Sequence, residues 1–327
     1  MRVYKQTNKQ IDMKNKLLAV LATLSMVASA SAVKVNDNLS INGFIDGSYV
    51  SSDDGTNKTQ SLEVDEVELN FVTNVGNVSS LIAVDASLDR AEASTDLGIE
   101  QAHFTYNVND AVSVTFGRYG SALGFEREDP AGLYTYSRAY STTGGFNLGN
   151  IDNINGGSVD GLTIAYSGDA YSVAVSLENQ VGAESALETN DLDFEISFTY
   201  TGIAGLNIGG GFLVDNETTA ALETDVVNLH LSRQFGKLLV AGEYTELSTD
   251  AGDRDAYLVL ADYDFNNKIG VALRVSSEEQ ANGDYDKVTI APNYAITESL
   301  GAILEYSDID DEGQDSEEYA VELTYTF

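Results

Sequence analysis

One stretch of the chain places charged side chains of both signs close together in sequence. Residues 117–157 read GRYGSALGFEREDPAGLYTYSRAYSTTGGFNLGNIDNINGG. Three arginines and three carboxylates in it are candidates for function: Arg118, Glu126, Arg127, Glu128, Asp129 and Arg138. Fixed charges of opposite sign on two sides of a narrow passage create a transverse field that filters solutes by charge and dipole. The same charges could instead pair with one another to hold the segment in shape, and both interpretations stay open.

The length of this stretch also indicates a function. At roughly forty residues it exceeds the ~12–15 residues above which a loop without secondary structure is unusual unless it is functional. If the flanking segments close into a barrel, this loop is long enough to fold back inside it and narrow the opening.

The flanking segments alternate between apolar and polar residues. At the end of the chain, Tyr319, Val321 and Leu323 share one face of a strand, and Glu318 and Glu322 share the other. Sixteen such segments follow one another, over 39–50, 61–73, 78–89, 98–107, 111–119, 158–167, 171–180, 191–200, 205–214, 222–234, 237–248, 254–264, 268–277, 285–294, 299–307 and 316–327. Short turns and longer polar loops alternate between them, including a last loop at 308–315.

This pattern predicts an all-β fold, a transmembrane antiparallel up-and-down β-barrel of about sixteen strands with a long, inward-folded third external loop. A soluble β-sandwich or propeller also alternates, because one face of each sheet contacts a core. Tyrosines near the strand ends, such as Tyr106, Tyr166 and Tyr294, favour the barrel, which needs amphipathic rings at the membrane interface.

Composition limits the other classes. The 327-residue chain has no cysteine, so disulfides and thiolate metal sites are excluded. Its formal net charge of −35 argues against a nucleic-acid partner, which needs a basic surface. No cofactor is expected, although acidic external loops suit loose binding of Ca²⁺ or Mg²⁺, including bridges to the phosphates of lipopolysaccharide. A dedicated calcium loop beginning at Asp308 is not expected, because Tyr319 occupies the position of the bidentate carboxylate.

The first 32 residues have the pattern of a secretory signal. A basic segment beginning at Met13 precedes the apolar run 17–28, and Ala30-Ser31-Ala32 is a small-residue cleavage site. Residues 1–12 are interpreted as a start-site extension. We therefore expect residues 33–327 to form a single barrel domain in the bacterial outer membrane.

In a barrel of this size the interior holds water, so inward-facing charges influence which solutes pass. The predicted lumen charges are Glu66, Glu68, Asp85, Asp193, Glu195, Arg274 and Lys287. The same register turns further carboxylates inward: Asp89, Glu178, Glu243, Asp262, Asp264, Glu305, Glu318 and Glu322. The cations on the same inward register are only Lys268, Arg274, Lys287 and, on one interpretation, Arg118. The carboxylates far outnumber them, which predicts a negative lumen that enriches cations. The alternative is that these groups only solvate a wet wall.

The chain after residue 32 resembles a Gram-negative porin in its signal, its sixteen alternating segments, its long third loop and its terminal Phe327. Gly117-Arg118-Tyr119-Gly120, Gly124-Phe125-Glu126, Asp129-Pro130 and Tyr136-Ser137-Arg138 resemble the OmpL-like β-barrel porins. The resemblance implies passive diffusion of small hydrophilic solutes and, by analogy with general porins, assembly into a homotrimer. This chain departs from the pattern in having no tryptophan and a strongly acidic composition.

Three alternatives remain open. A structural or adhesin barrel that is not a channel would need a plugged lumen. A solute-specific channel would need a file of aromatic side chains or a basic ladder inside the barrel, for which Phe44 and Phe125 are isolated candidates. An enzymatic outer-membrane barrel would use His230 and Ser232, which lie two residues apart and therefore share a strand face. We predict no enzymatic activity, because Val227, Leu229 and Leu231 mark the opposite face as lipid-facing, which makes His230 one polar group among others on the inner wall.

Overall fold

Strands make up nearly all of the regular structure. The computed structural model describes residues 32–87, 96–127, 130–142, 144–148, 158–180, 192–216, 224–250 and 252–327. The predicted signal peptide therefore lies almost entirely outside the described residues. The strands are β1 (Val33–Lys34), β2 (Leu39–Asp53), β3 (Lys58–Val75), β4 (Val78–Ser87), β5 (Asp96–Asn107), β6 (Val112–Gly120), β7 (Ser158–Ser167), β8 (Tyr171–Gln180), β9 (Asp193–Tyr200), β10 (Leu206–Val214), β11 (Thr224–Phe235), β12 (Leu238–Thr249), β13 (Gly252–Asp264), β14 (Ile269–Glu279), β15 (Asp284–Ala295), β16 (Leu300–Asp311) and β17 (Gln314–Thr326).

The sheet closes on itself. Each strand from β2 to β17 pairs antiparallel with the next one in the chain, and β17 pairs with β2 from Glu317↔Asp53 to Thr326↔Phe44. The two-residue β1 pairs with β2 and stands outside this ring. The prediction of a closed antiparallel barrel of sixteen strands is confirmed, and it excludes the open sheets of a sandwich or propeller.

The two faces of the barrel differ as the alternation predicts. Every strand of the ring carries large apolar side chains that are exposed on its outer face, such as Phe116 and Val259, each 55% exposed. The neighbours at odd spacing point inward, and many of them are buried polar residues, such as Glu68 and Thr115. An apolar exterior around a polar interior is the arrangement of a barrel surrounded by lipid.

The connections at the two ends differ less in length than predicted, because those between β2 and β3, β12 and β13, β14 and β15, and β16 and β17 span only two to four residues. The segment 308–315 was expected to be a loop, but β16 and β17 run to Asp311 and from Gln314. Glu312 and Gly313 form the turn between them with φ values of 54° and 83°. Two central residues with positive φ match the twist of a tight hairpin, so the acidic residues around them lie on strands.

The only helical element in the described part of the chain is a single 3₁₀ turn, Pro130–Gly132. No helix among those residues is long and apolar enough to cross a membrane.

Candidate functional site

The described part of the segment between β6 and β7 is held against the inner wall by three serines. Each serine hydroxyl donates to a wall carboxylate, and a backbone N–H donates to the same carboxylate. The pairs are Ser121 with Glu195 on β9, Ser137 with Glu305 on β16, and Ser141 with Glu278 on β14. The N–H groups of Ala122, Ser137 and Ser141 complete them, each at 3.2 Å. Bonds to a charged acceptor are about twice as strong as neutral ones, so these pairs anchor the segment at three strands.

Arg274 on β14 is the strongest single anchor. Its Nη1 donates to both carboxylate oxygens of Glu126, at 2.8 and 3.0 Å, and to Thr135 Oγ1 at 2.8 Å. The guanidinium also reaches the carbonyl oxygens of Ser137 and Arg138, both at 2.8 Å. The Arg274 side chain is fully buried and that of Glu126 is 8% exposed. The ion pair is therefore hidden from the lumen and binds two parts of the loop to the wall.

A second network holds the start of the loop against β11 and β12. Glu243 Oε1 accepts from the Phe125 N–H at 2.6 Å and from Asn228 Nδ2 at 2.8 Å, and the Tyr140 hydroxyl donates to its Oε2 at 3.2 Å. Asn228 Oδ1 accepts from the Gly124 N–H at 3.2 Å. Burial, followed by the charge of Glu243, raises the pKa of Tyr140 well above its usual value. The phenol therefore keeps its proton and stays a donor.

Between these polar anchors lies an apolar contact. Leu123, Ala139, Tyr140 and Phe146 of the loop pack on inward-facing wall residues of β11, β12 and β13: Val226, Ala241, Leu247, Ala256, Leu258 and Leu260. The inner face is apolar here because the loop covers it. At Gly124, φ is +97° and an added Cβ would lie 2.5 Å from the Leu148 carbonyl oxygen. Glycine is thus required for the close packing of this loop.

A cavity of about 720 Å³ remains on the side of the barrel away from these strands. Asp46, Asp65, Glu66 and Glu322 line it from β2, β3 and β17. Tyr136, Ser137, Arg138 and Tyr140 line it from the loop, together with Lys287 from β15. In all, five carboxylates (with Asp311) and two cations border the space, and the two signs lie mostly on different elements.

A β-bulge adds one of these carboxylates. The pairing of β2 with β3 shifts between Asp46↔Glu66 and Gly47↔Val64, which leaves Asp65 as the extra residue. Consecutive residues of a regular strand face opposite sides, but both Asp65 and Glu66 line the cavity. Strict alternation therefore missed Asp65.

The six predicted constriction residues do not lie together in one place. Glu126 and Arg138 lie together, since Arg138 donates to the Glu126 carbonyl oxygen and Arg274 binds both residues. Arg127 borders a small pocket beside Ser172 and Ser197 on β8 and β9. Glu128 and Asp129 lie outside the described residues.

Arg118 stands apart from the others. On β6 the side chains of Ser113, Thr115 and Tyr119 are buried inside, so Arg118 points outward with Phe116. It forms a two-pronged ion pair with Asp160 on β7, with Nε and Nη2 at 3.0 and 3.1 Å from the two carboxylate oxygens. The prediction that Arg118 lines the constriction is corrected, because β6 continues to Gly120 and fixes this outward direction.

The seven predicted lumen charges named first all lie on the inner face, but they differ in surroundings. Glu195 and Arg274 are covered by the loop that they anchor, and Lys287 donates from Nζ to Ser137 Oγ at 2.6 Å. Asp193 accepts from the Asn216 N–H at 3.0 Å. Glu66, Glu68 and Asp85 lie on adjacent strands, where Glu68 pairs with Asp85 and Glu66 borders the cavity.

The prediction that Lys268 faces inward is corrected, because its Nζ lies 5.9 Å from the centre of the Tyr294 ring on the outer face. Asp89 lies outside the described residues.

Solved structures share this architecture. OmpF from Salmonella typhi matches with a TM-score of 0.69 at 13% identity, over 91% of this chain and 100% of the other. The outer membrane channel DcaP of Acinetobacter baumannii gives 0.67 at 15% identity, over 91% and 100%. An anion-selective porin from Comamonas acidovorans gives 0.64 at 12% identity, over 88% and 99%. The fold is that of the outer-membrane porins. No protein-family model and no curated protein matches the sequence.

Identities this low carry the fold alone, so the chemistry must come from the residues of this chain. Sequence reasoning missed the anchoring serines and Glu278. The sequence did contain a signal for where the loop packs. The run Ala256–Ala261 (AYLVLA) on β13 is apolar at consecutive positions, as expected for a strand covered on both faces.

The external turns use their acidic residues locally. Asp53 and Asp54 accept backbone N–H groups of the β2–β3 turn, and Asp310 accepts the Gly313 N–H at 2.7 Å. The N–H groups of Asn57 and Thr56 lower the pKa of Asp54 below its usual range. Within the residues that the structure describes, no group of three or more His, Asp and Glu side chains is arranged to hold a metal ion.

Proposed function

We propose that this chain is an outer-membrane porin that lets small hydrophilic solutes and ions diffuse passively through a water-filled channel. The observation that carries the proposal is the cavity between the docked loop and the wall formed by β17, β2 and β3, which polar and charged side chains line. An apolar exterior and a closed hydrogen-bonded wall support a place in the lipid bilayer. The process requires neither turnover nor a cofactor.

The channel prefers cations. Five carboxylates and two cations line the cavity, and Lys287 is directed at the loop hydroxyl of Ser137. Charges that face a confined aqueous passage act through a lower effective dielectric than in bulk water, so an excess of carboxylates raises the local cation concentration. Because the fold includes a porin described as anion-selective, the sign of selectivity depends on the lining residues.

The export signal, the outer-membrane location and contact with lipid and lipopolysaccharide follow from the same proposal. A channel of this kind can conduct solutes only after the chain has been exported and inserted with its apolar exterior in lipid.

The test is electrical. Residues 33–327 are refolded, inserted into planar bilayers, and measured for conductance and reversal potential across a tenfold KCl gradient. We expect stepwise conductance with a reversal potential of the sign of a cation-selective channel. Folded protein without conductance would contradict the porin, and an anion-selective potential would contradict the charge argument.

The variant Asp65→Asn/Glu66→Gln/Glu322→Gln removes three of the lining carboxylates and should reduce the reversal potential by at least half, with conductance retained. Glu317→Gln is the matched control, because Glu317 lies on the same strand as Glu322 but on the exposed outer face. An equal change in the control would exclude these carboxylates as the source of selectivity.

A further inference from the structure

We propose that one side of the barrel carries a binding surface for the headgroups of anionic phospholipids at its short-turn end. The surface consists of three exposed cations: Arg233 near the end of β11, Lys237 in the β11–β12 turn and Lys268 in the β13–β14 turn. It rests on the proposed function in one respect, since the barrel must sit in a bilayer. No part of it lines the channel.

Hydrogen bonds join the two turns into one surface. Lys237 Nζ donates to the Phe265 carbonyl oxygen at 2.6 Å. The Asp264 N–H donates to the Lys237 carbonyl oxygen at 3.0 Å. The β11–β12 turn is thereby fixed beside the β13–β14 turn, and the cations of both are held on the same rim.

Aromatic rings support two of the cations. The Arg233 guanidinium carbon lies 5.0 Å from the centre of the Phe235 ring, and Lys268 Nζ lies 5.9 Å from that of Tyr294. These rings are 54% and 45% exposed on the outer face. Exposed rings of this kind occupy the boundary between lipid tails and headgroups. The cation–π contacts therefore hold the two charges at the level of lipid phosphates.

The three cations are available for a ligand. Among the described residues, none of them lies within ion-pair distance of a carboxylate, whereas Lys34, Lys58 and Arg118 each have one. Asp264, the acidic residue next to the β13–β14 turn, lies on the same inward-facing side of β13 as Asp262. It is therefore not part of the outer surface. The positive charge on the outer rim is thus not cancelled locally.

The opposite end of the same outer face is acidic. Glu246 pairs across from Asp255 on β12 and β13, and Asp308 pairs across from Glu317 on β16 and β17. Phosphate groups are repelled there unless cations intervene, and they are attracted at the short-turn end. The charge complementarity therefore favours an anionic headgroup in the leaflet that the short turns enter.

The experiment uses the folded chain in neutral detergent micelles. It is titrated with phosphatidylglycerol or with phosphatidylcholine of the same acyl chains, and bound lipid is counted by native mass spectrometry. We expect wild type to retain phosphatidylglycerol preferentially. Each basic residue near an anionic surface contributes about fivefold in binding, so Arg233→Gln/Lys237→Gln/Lys268→Gln should lose roughly two orders of magnitude in retention.

The control variant Lys34→Gln/Lys58→Gln/Arg118→Gln removes the same number of positive charges at ion-paired positions and should retain phosphatidylglycerol like wild type. Equal retention of the two lipids by wild type, or equal loss in both triple variants, would overturn the proposal. Planar-bilayer conductance of the wild type, measured beside its lipid preference, separates the two hypotheses. Lipid preference in a silent barrel would contradict only the channel, and conduction without lipid preference would contradict only this surface.

Discussion

Six glutamates on the inner wall belong to two groups that the amino-acid type does not distinguish. Glu195, Glu243, Glu278 and Glu305 accept hydrogen bonds from the loop, whereas Glu66 and Glu322 border the cavity. An anchoring carboxylate has its charge stabilised by N–H and O–H donors. Only the second group borders the cavity, so the proposed selectivity would depend on fewer residues than the inner face contains.

Replacing the central anchor should release the loop. Arg274→Met removes one partner of a buried ion pair and leaves Glu126 without its cation, a change that typically costs about 3–5 kcal/mol. We expect single-channel conductance to rise and become noisier, because the loop no longer stays against the wall. Glu126→Gln/Arg274→Met should recover part of the lost thermal stability, since the unpaired charge is gone.

Arg118→Met is the matched control, because it also breaks an arginine–carboxylate pair, but on the outer face, where one partner is 33% and the other 52% exposed. Exposed pairs contribute about 0–1 kcal/mol. The idea that Arg274 positions the loop is excluded if its variant conducts like that of Arg118.

Among the elements, β13 shows most clearly how loop and wall depend on each other. Its inner residues Leu258 and Leu260 are 1% and 0% exposed under the loop, while Val259 between them faces outward and is 55% exposed. Burying a large aliphatic side chain contributes about 1.5–3 kcal/mol relative to exposure. The strand is therefore both a part of the barrel and the floor on which the loop packs.

Shortening the inner leucines of β13 should detach the loop while the barrel stays closed. Leu258→Ala/Leu260→Ala removes contacts worth about 2–5 kcal/mol per site, because cavities form beneath Tyr140 and Phe146. Trypsin should then cut the loop much faster, and the heat-resistant mobility of the folded barrel on gels should remain. Val259→Ala should change the cleavage rate little. Equal cleavage in the two variants would show that the polar anchors alone hold the loop.

For the whole molecule, closure depends on the pairing of its first and last long strands. β17 and β2 are joined along ten residue pairs, and Gly43 and Phe327 exchange two further backbone hydrogen bonds of 3.0 Å each. A barrel without this seam would expose two strand edges, whose unpaired N–H and C=O groups cannot be solvated in lipid.

Deleting residues 314–327 should therefore abolish the folded state in detergent or vesicles. We expect complete loss of heat-modifiable gel mobility and of conductance, because β2 and β16 each lose the partner strand on one edge. Deleting Val33 and Lys34 is the control, since β1 pairs only with β2 outside the ring. A truncated chain that still conducts would contradict the assigned seam.

Much of the architecture is encoded in local sequence patterns. Because successive side chains of a strand face opposite sides, alternation alone predicted sixteen strands and placed Glu66, Glu195, Arg274 and Lys287 on the inner face. The loop was recognised by its length. Local information failed at the hairpin Glu312–Gly313, where acidic strand residues resembled a loop. At Arg118 the alternation was available but not applied, because Arg118 lies within the predicted strand 111–119 and shares the outward face of Phe116.

The use of each inner charge was decided only by contacts between distant parts of the chain. Glu126 and Arg274 are separated by 148 positions, and Ser121 and Glu195 by 74. No pattern within a strand encodes such pairs, because they form only when the loop meets the closed wall. Asp65 likewise reaches the cavity through a bulge that the partner strand imposes. Alternation determined which face each side chain occupies, and tertiary packing determined which charges border the cavity.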